Sequence, residues 1–263
     1  MRNRVIENQR PKTLFDILSI VMITYVYPTV AETSRSLIRH LIALMAAAPD
    51  RIFHIAFSGG NTPSLMFDLW AREFCDVTPW SRMRIYWVDE RCVPAESPES
   101  NYGTMCRLLL DKVAIPDEYI FPINGDNRPE DEAVRYSRLV CRNVPHDGTL
   151  PAFDVVLLGI GEDGHTSSIF PGQERLLSSS CPYELSVNPY NGSKRIAMTG
   201  CLLFNAHRLI FLVTGSSKSE VMRDVLAGED VGPAAYVAHH AKRVEIFMDE
   251  LAKPQLGGPE VKV

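Results

Sequence analysis

A glycine-rich turn presents an acid and a histidine at the end of an apolar segment. The turn, Gly159-Ile160-Gly161-Glu162-Asp163-Gly164-His165, follows the strand-like residues 153–158. Its glycines permit a sharp change of direction and a close approach to a ligand. Histidine is the side chain whose ordinary pKa, ~6.5, best suits proton exchange near neutral pH. Asp163 and His165 are therefore candidate catalytic residues.

The same turn also fits the dinucleotide-binding pattern Gly-x-Gly-x-x-Gly. That pattern requires a first βαβ unit, a helix that opens at the third glycine and an acid at the end of the next strand. The match lies past the middle of the chain, and residues 171–192 are rich in Pro, Ser and Asn without a clear second strand. We therefore favour an acid–base site over a nicotinamide site.

A second glycine loop has the features of a phosphate site. Ser58, Gly59, Gly60, Asn61 and Thr62 follow a predicted strand and precede a predicted helix. Backbone N–H groups, hydroxyls and the positive end of a helix dipole suit a phosphate. The loop lacks the lysine and the spacing of a Walker A loop, and an ordinary tight turn is an equally good interpretation of it alone.

Charged side chains follow other predicted strands. Asp89 and Arg91 come after residues 83–88, Lys218 comes after residues 208–214, and Arg195 follows a loop. Each cation alone is typical of a solvated surface, but together they supply the charge that a phosphate monoester requires. Because the carboxyl ends of parallel strands share one edge of a sheet, we expect these loops to converge on one crevice.

The elements that must position these residues alternate between strand and helix patterns. Strands are predicted at residues 22–27, 51–57, 83–88, 153–158, 195–199, 208–214 and 244–248, and helices at 31–48, 63–74, 102–112, 130–142 and 219–227. This alternation predicts a single-domain α/β fold, with a mostly parallel, Rossmann-like sheet covered by helices on both faces.

Composition and charge exclude several classes of protein and partner. The 263 residues carry a net charge of −5 without a basic run, which argues against a nucleic-acid partner. The apolar residues 14–27 are shorter than the ~20 that a membrane helix requires and lack a signal cleavage site. The six cysteines show neither C-x-x-C nor zinc-ligand spacing, so we expect reduced thiols, a cytoplasmic location and no metal or other cofactor.

Four motifs, taken in order, resemble those of the 6-phosphogluconolactonases. The resemblance covers about residues 22–249 and also implies the fold of the related glucosamine-6-phosphate deaminases. The motifs are Phe57-Ser58-Gly59-Gly60-Asn61-Thr62-Pro63, Val88-Asp89-Glu90-Arg91 with Ser100-Asn101, Gly159-Ile160-Gly161-Glu162-Asp163-Gly164-His165-Thr166-Ser167-Ser168-Ile169-Phe170-Pro171, and Thr214-Gly215-Ser216-Ser217-Lys218.

This resemblance implies a hydrolase that opens 6-phospho-D-glucono-1,5-lactone to 6-phosphogluconate, a step of the oxidative pentose phosphate pathway. His165 is implied to be the general base that activates water, with Asp163 or Asp89 orienting its imidazole or a substrate hydroxyl. The implied binding residues are Gly59, Gly60, Asn61 and Thr62 in the phosphate loop, Arg195 and Lys218 on the phosphate, and Asp89 and Arg91 beside the lactone ring.

Two alternatives stay open beside the lactonase. A deaminase of the same fold carries a glutamate just before the proline that closes the third motif, whereas this chain has Phe170 there. A sugar-phosphate sensor requires a DNA-binding module, for which residues 1–21 are too few.

The boundaries follow from the same patterns. We expect residues 1–21 to be an N-terminal extension of uncertain order, residues 22–253 to be the lactonase domain and residues 254–263 to be a flexible tail. We expect a monomer or a small homo-oligomer.

Overall fold

A computed structural model describes residues 4–5 and 21–254, and these form thirteen strands and seven α-helices. The strands are β1 (Arg4–Val5), β2 (Val21–Tyr27), β3 (Phe53–Phe57), β4 (Met83–Trp87), β5 (Asp89–Arg91), β6 (Ile120–Phe121), β7 (His146–Asp147), β8 (Leu150–Pro151), β9 (Val155–Leu158), β10 (Tyr183–Val187), β11 (Lys194–Met198), β12 (Leu209–Val213) and β13 (Arg243–Asp249). The helices are α1 (Val30–Ala46), α2 (Asn61–Glu73), α3 (Asn101–Leu108), α4 (Pro129–Asn143), α5 (Gly200–Leu203), α6 (Ser219–Ala227) and α7 (Gly232–His240).

The main sheet has the strand order β1-β2-β13-β12-β9-β3-β4-β6. Seven of these strands are parallel, and β1 joins antiparallel to β2 at one edge. Every residue of β3, β9 and β12 is buried, so both faces of the sheet are covered at its centre, because alternate side chains point to opposite faces. The predicted mostly parallel α/β fold is confirmed.

Helix α1 illustrates how local sequence sets an element. Thr29 caps it, because the Thr29 hydroxyl oxygen accepts a hydrogen bond from the Glu32 backbone N–H at 3.2 Å. Its buried residues include Leu37, Ile38 and Leu41, which recur at helical spacing, and the helix packs on α2 and β13. At 17 residues it is the longest helix of the described part, in which none combines the length and apolarity of a membrane crossing.

The order of the strands reverses between β3 and β9. From β3 the chain continues to β4 and β6 on one side, and from β9 it continues to β12 and β13 on the other side. The crevice at the carboxyl ends of two such neighbouring strands is the usual ligand site of an open α/β sheet. The glycine loop follows β3 and the glycine-rich turn follows β9, so the fold brings the two together.

A second, smaller sheet corrects two predictions. Residues Asp89–Arg91 form the strand β5, not a loop, and residues 171–192, for which no clear strand was predicted, contain β10. The three strands pair antiparallel in the order β10-β11-β5. The partner of β5 lies about a hundred residues further along the chain, so its local sequence carries no signal of the pairing.

Helix α7 was also missed in the sequence. Its hydrophobic face is weakly patterned, with three alanines among its buried residues and a proline in its first turn. The Ala234 N–H donates to the Gly164 carbonyl oxygen at 2.9 Å, so this helix supports the glycine-rich turn from behind. The predicted extension, apart from Arg4–Val5 and Val21, and the predicted tail, apart from Pro254, lie outside the described residues.

Candidate active site

A cavity of about 220 Å³ opens at the carboxyl ends of β3 and β9. Residues from three of the four predicted loops border it, together with residues of the small sheet. Its lining consists of Ser58, Gly59, Asp89, Arg91, Asn101, Gly159, Ile160, Gly161, His165, Thr166, Ser167, Ser168, Phe170, Asn188 and Arg195. The sequence-predicted convergence of Ser58, Gly59, Asp89, Arg91, His165 and Arg195 is therefore observed.

The His165 imidazole is held by Asp163. Nδ1 of His165 lies 2.5 Å from Oδ1 of Asp163, and the same oxygen accepts the backbone N–H of His165 at 3.2 Å. An ionised carboxylate only accepts hydrogen bonds, so Nδ1 carries the proton of the neutral imidazole and Nε2 is left with a free electron pair. Asp163, and not Asp89, is thus the acid that orients His165.

The pKa of Asp163 fits an ionised partner. Burial raises the pKa of its carboxyl, but the hydrogen bond from the Tyr190 hydroxyl and the neighbouring His165 imidazole together outweigh burial and leave this pKa below its ordinary value. Asp163 therefore stays an acceptor at neutral pH.

The backbone of the turn fits closely around this pair. A Cβ atom on Gly161 would lie 2.1 Å from Nδ1 of His165 and 2.4 Å from Oδ1 of Asp163, so only glycine fits there. Gly164 has a φ of 79°, in the left-handed region that glycine adopts without strain. The position of the imidazole thus explains Gly161, and the backbone conformation of the turn explains Gly164.

Two serines after the turn have left-handed backbones and connect it to the small sheet. Ser167 and Ser168 have φ angles of 53° and 54° and are almost fully buried. The Ser167 hydroxyl donates to the Met198 carbonyl oxygen at 2.8 Å, and the Ser168 hydroxyl donates to Oδ2 of Asp89 at 2.5 Å. Such strain persists only where surrounding contacts hold it, and here the contacts reach the cavity wall.

An apolar ring covers one side of His165. Phe170 is buried, and its ring centroid lies 4.6 Å from that of the imidazole. The position at which the deaminases carry an acid is therefore occupied by a hydrocarbon ring in contact with His165.

Glu90 is an anchor for the loop that carries Asp89 and Arg91. Its buried carboxylate accepts the backbone N–H groups of Arg91, Asn101 and Tyr102 at 2.6–2.8 Å and the Ser100 hydroxyl at 3.1 Å. Burial raises the pKa of Glu90, although these backbone hydrogen bonds oppose the increase. Glu90 thus ties the two ends of the loop between β5 and α3 together.

Asn101, the first residue of α3, joins this loop to the glycine loop. Its amide donates to the Asp89 carbonyl oxygen at 2.9 Å, and a Cβ atom on Gly59 would lie 2.0 Å from its Oδ1 atom. Gly59 is therefore required for the close approach of Asn101. Gly60 caps α2 with a φ of 105°, so Asn61 and Thr62 are the first helical residues and the helix begins two residues before Pro63, where the sequence placed its start.

Two arginines form a cationic wall. Arg91 and Arg195 are cross-strand neighbours in β5 and β11, and both border the cavity. Burial first, and then the charge of Arg91, lowers the pKa of Arg195. The buried Nε of Arg91 has no hydrogen-bond partner, and neither guanidinium is in an ion pair with a carboxylate anywhere in residues 21–254. An anionic group in the cavity would give these two guanidinium groups the negatively charged partner that they lack.

The remaining predicted phosphate ligands lie outside the cavity lining. Lys218 ends the turn after β12, with its Nζ 4.0 Å from Oε1 of Glu162. The Thr214 hydroxyl donates to the Thr62 hydroxyl at 3.2 Å, which places the loops after β12 and β3 in contact. Gly60, Asn61, Thr62 and Lys218 thus lie beside the cavity. In the order of the strands, Lys218 follows β12, across the His165 turn from the arginine wall, whereas the glycine loop follows β3, between that turn and the wall.

Tyr190 and Asn188 are the site residues that sequence reasoning missed. Both lie in the turn between β10 and β11; Asn188 borders the cavity, and the Tyr190 hydroxyl donates to Oδ2 of Asp163 at 2.7 Å. The Asn191-Gly192 pair, followed by the strand at Lys194–Met198, is a hairpin signal that could have found them. Within the described ranges, no cluster of three or more His, Cys, Asp or Glu side chains has an arrangement suited to a metal ion.

Comparisons with known proteins agree with this arrangement. The 6-phosphogluconolactonase of Treponema pallidum is 36% identical over 212 residues, which cover 80% of this chain and 86% of that protein. The crystal structure of devB protein aligns with a TM-score of 0.83 at 32% identity, over 88% of this chain and 98% of that one. A 6-phosphogluconolactonase structure from Trypanosoma brucei aligns with a TM-score of 0.77 at 26% identity, over 87% and 96%.

A family model covers most of the chain as well. The model described as "Glucosamine-6-phosphate isomerases/6-phosphogluconolactonase" matches residues 28–246, a range that contains every candidate site residue named above. The chain therefore belongs to the glucosamine-6-phosphate isomerase/6-phosphogluconolactonase family.

Proposed function

We propose that this chain is a hydrolase that converts 6-phospho-D-glucono-1,5-lactone to 6-phosphogluconate in the oxidative pentose phosphate pathway. The observation that carries the proposal is the His165–Asp163 pair, which leaves Nε2 as a base at a cavity with a cationic wall. The relatives named 6-phosphogluconolactonase support the choice of substrate.

The chemistry requires a base, a water molecule and a place for negative charge. Nε2 of His165 takes a proton from water while the water oxygen bonds to C1 of the lactone, which gives a tetrahedral oxyanion. The oxyanion collapses, the bond from C1 to the ring oxygen breaks, and His165 returns its proton to that oxygen. The products are a hydroxyl group and a carboxylic acid that ionises in water. Because water itself attacks C1, this route has no covalent intermediate on the protein.

The binding groups are assigned from both sides of the His165 turn. Asp89 and Arg91 lie beside the lactone ring, while Arg195, Lys218 and the glycine loop hold the phosphate. Arg195 stands next to Arg91 and Lys218 stands on the far side of the turn. Variants of the two therefore report separate contributions to phosphate recognition.

A deaminase or isomerase activity is disfavoured by the packing around His165. Ring opening and isomerisation require an acid at the position of Phe170, where the buried ring instead contacts the imidazole. A lactone is already an activated ester and does not require that second acid.

We also propose a cytoplasmic location and a monomer or small homo-oligomer. All six cysteines are unpaired, as is usual in a reducing compartment, and one copy of the chain supplies the whole lining of the cavity. Light scattering after size-exclusion chromatography would measure the oligomeric state.

The decisive experiment is hydrolysis of freshly generated 6-phosphoglucono-1,5-lactone, with the rate of spontaneous opening subtracted. We expect rapid, enzyme-dependent release of acid with this lactone and none above background with glucosamine 6-phosphate assayed for ammonia. Ammonia release without lactone opening would assign the chain to the deaminase branch.

A further inference from the structure

Tyr190 contacts the oxygen of Asp163 that His165 leaves free. The Tyr190 hydroxyl donates to Oδ2 at 2.7 Å, while Oδ1 lies 2.5 Å from Nδ1 of His165. The Asp163 carboxylate thus lies between the Tyr190 hydroxyl and the His165 imidazole, and it contacts each of them through a different oxygen.

The second contact fixes the plane of the carboxylate. Rotation of an aspartate carboxylate about its last torsion is soft, because that torsion has no sharp staggered minima. The imidazole and the backbone N–H of His165 both contact Oδ1, so they hold only one oxygen of the carboxylate. The Tyr190 hydroxyl holds the other oxygen, Oδ2, and so fixes Asp163 at a second point. The plane of the carboxylate in turn sets the direction of the imidazole.

The position of Tyr190 suits a contact with Asp163 better than a role in the core. It lies in the closed turn between β10 and β11, in which its N–H donates to Oδ1 of Asn188 and the Gly192 N–H donates to the Asn188 carbonyl oxygen, both at 2.9 Å. The residue is 70% exposed, so its ring contributes little to the core. Its hydroxyl nevertheless reaches the partner of the base.

We propose that Tyr190 is a positioning residue for lactone hydrolysis, in which its hydroxyl holds Asp163 so that His165 keeps the proton on Nδ1 and presents Nε2 as the base. This inference rests on the proposed function, because it assigns Tyr190 to that reaction. A role in closing the hairpin alone is the competing explanation.

Kinetics of Tyr190→Phe test the inference, because this change removes the hydroxyl and keeps the ring. We expect kcat to fall by about fivefold, the scale of one hydrogen bond, while KM changes by less than about twofold.

Two comparisons separate positioning from structure. Tyr119→Phe is the matched control, since Tyr119 packs against Arg84 near the amino end of β4 and outside the cavity lining, and it should leave kcat and KM unchanged. In an Asp163→Asn background, Tyr190→Phe should have little further effect, because the phenol acts through the carboxylate. An equal fold loss in both backgrounds, or an increase in KM alone, would overturn the proposal.

A measurement without turnover keeps this test separate from the proposed function. Long-range ¹H–¹⁵N spectra of histidine-labelled protein report which ring nitrogen is protonated, and His165→Gln identifies the signal among the seven histidines. We expect the Nδ1–H form in the wild type and a mixture of tautomers in Tyr190→Phe. Identical spectra would refute the role of Tyr190. A change of tautomer in Tyr190→Phe, together with a wild type that opens no lactone, would refute the proposed substrate and leave the contact through Asp163 standing.

Discussion

The chemistry of single residues here depends on which nitrogen of His165 is free. Asp163 occupies Nδ1, so the electron pair on Nε2 is the only basic position that the imidazole has left. The sequence brought the two residues together by their spacing, but it left Asp163 and Asp89 as equal candidates to orient the ring. In the structure Asp163 contacts Nδ1, whereas Oδ2 of Asp89 accepts a hydrogen bond from the Ser168 hydroxyl.

His165→Ala should abolish most of the turnover and leave the fold intact. We expect kcat to fall by roughly 10²-fold or more, the usual contribution of a general base. The lactone assay measures the loss, and circular dichroism and thermal unfolding serve as controls for folding. Near-normal turnover in this variant would remove His165 from the mechanism.

Lys218→Ala should weaken recognition of the phosphate more than it slows the chemistry. A charge-assisted bond far from the scissile carbonyl acts first on binding, so KM for the phosphorylated lactone should rise more steeply than kcat falls. Unphosphorylated glucono-1,5-lactone should hardly sense the change. Arg195→Ala, measured in parallel, gives the contribution to phosphate binding of the cation on the other side of the cavity. An equal proportional loss on both lactones would show that Lys218 does not contact the phosphate.

At the scale of elements, the strands bring the site residues to one edge of the sheet, and the turns after them set the direction of the side chains. The strand–loop–helix segments around the glycine loop and the glycine-rich turn could be predicted from sequence, because their apolar runs and glycines are local signals. Strands β5 and β10 could not, because β5 is polar and both exist through pairing with β11. Tyr190 and Asn188 were missed with them, since both depend on the hairpin that β10 completes.

Gly161→Ala should inactivate the enzyme without unfolding it. The added Cβ atom would lie 2.1 Å from Nδ1 of His165 and must displace the imidazole. A displacement on the order of 1 Å costs about 10²-fold in kcat/KM. Gly159→Ala is the comparison in the same turn: its Cβ atom would meet no protein atom within 4 Å and should leave the imidazole in place, although Gly159 borders the cavity. Wild-type kcat/KM in Gly161→Ala would contradict the close fit around His165.

Strand β3 carries a buried histidine that should make stability depend on pH. Burial first, and then the charges of Arg84 and Arg51, lowers the pKa of His54 to about 4. The unfolded chain, with a histidine pKa of ~6.5, binds this proton earlier, so the free energy of unfolding should fall as the pH decreases from about 6.5 to about 4, by up to about 1.4 kcal/mol per pH unit. Urea unfolding of the wild type and His54→Gln across this range tests it. The two stabilities should converge as the pH falls, and parallel curves would contradict the assignment.

The whole molecule is one α/β unit whose function is concentrated at a single edge of its sheet. Its class and its crevice could be predicted from the alternation of elements, because parallel strands require helical crossovers and share one carboxyl edge. The position of α7 behind the turn could not, since an alanine-rich helix carries little periodic signal. The edge strand β1 adds only the pairs Arg4↔Thr24 and Val5↔Ile23 to the sheet.

A protein that starts at Met22 should keep its fold and its activity. The truncation removes β1 and Val21, the first residue of β2, but leaves the residues that line the cavity in place. We expect lactone turnover equal to that of the full chain and a similar thermal midpoint. An insoluble or inactive truncation would show that residues 1–21 protect the edge of β2.

The reversal of strand order between β3 and β9 also determines when activity can arise during folding. The glycine loop, Asp89 and Asn101 come from the first half of the chain and His165 from the second, and the two halves of the sheet are joined by a ladder that pairs Ile55 with Val155. Contacts between residues so far apart in sequence form slowly during folding. Hydrolysis that recovers during refolding therefore reports this closure, and neither half of the chain can contribute turnover before it occurs.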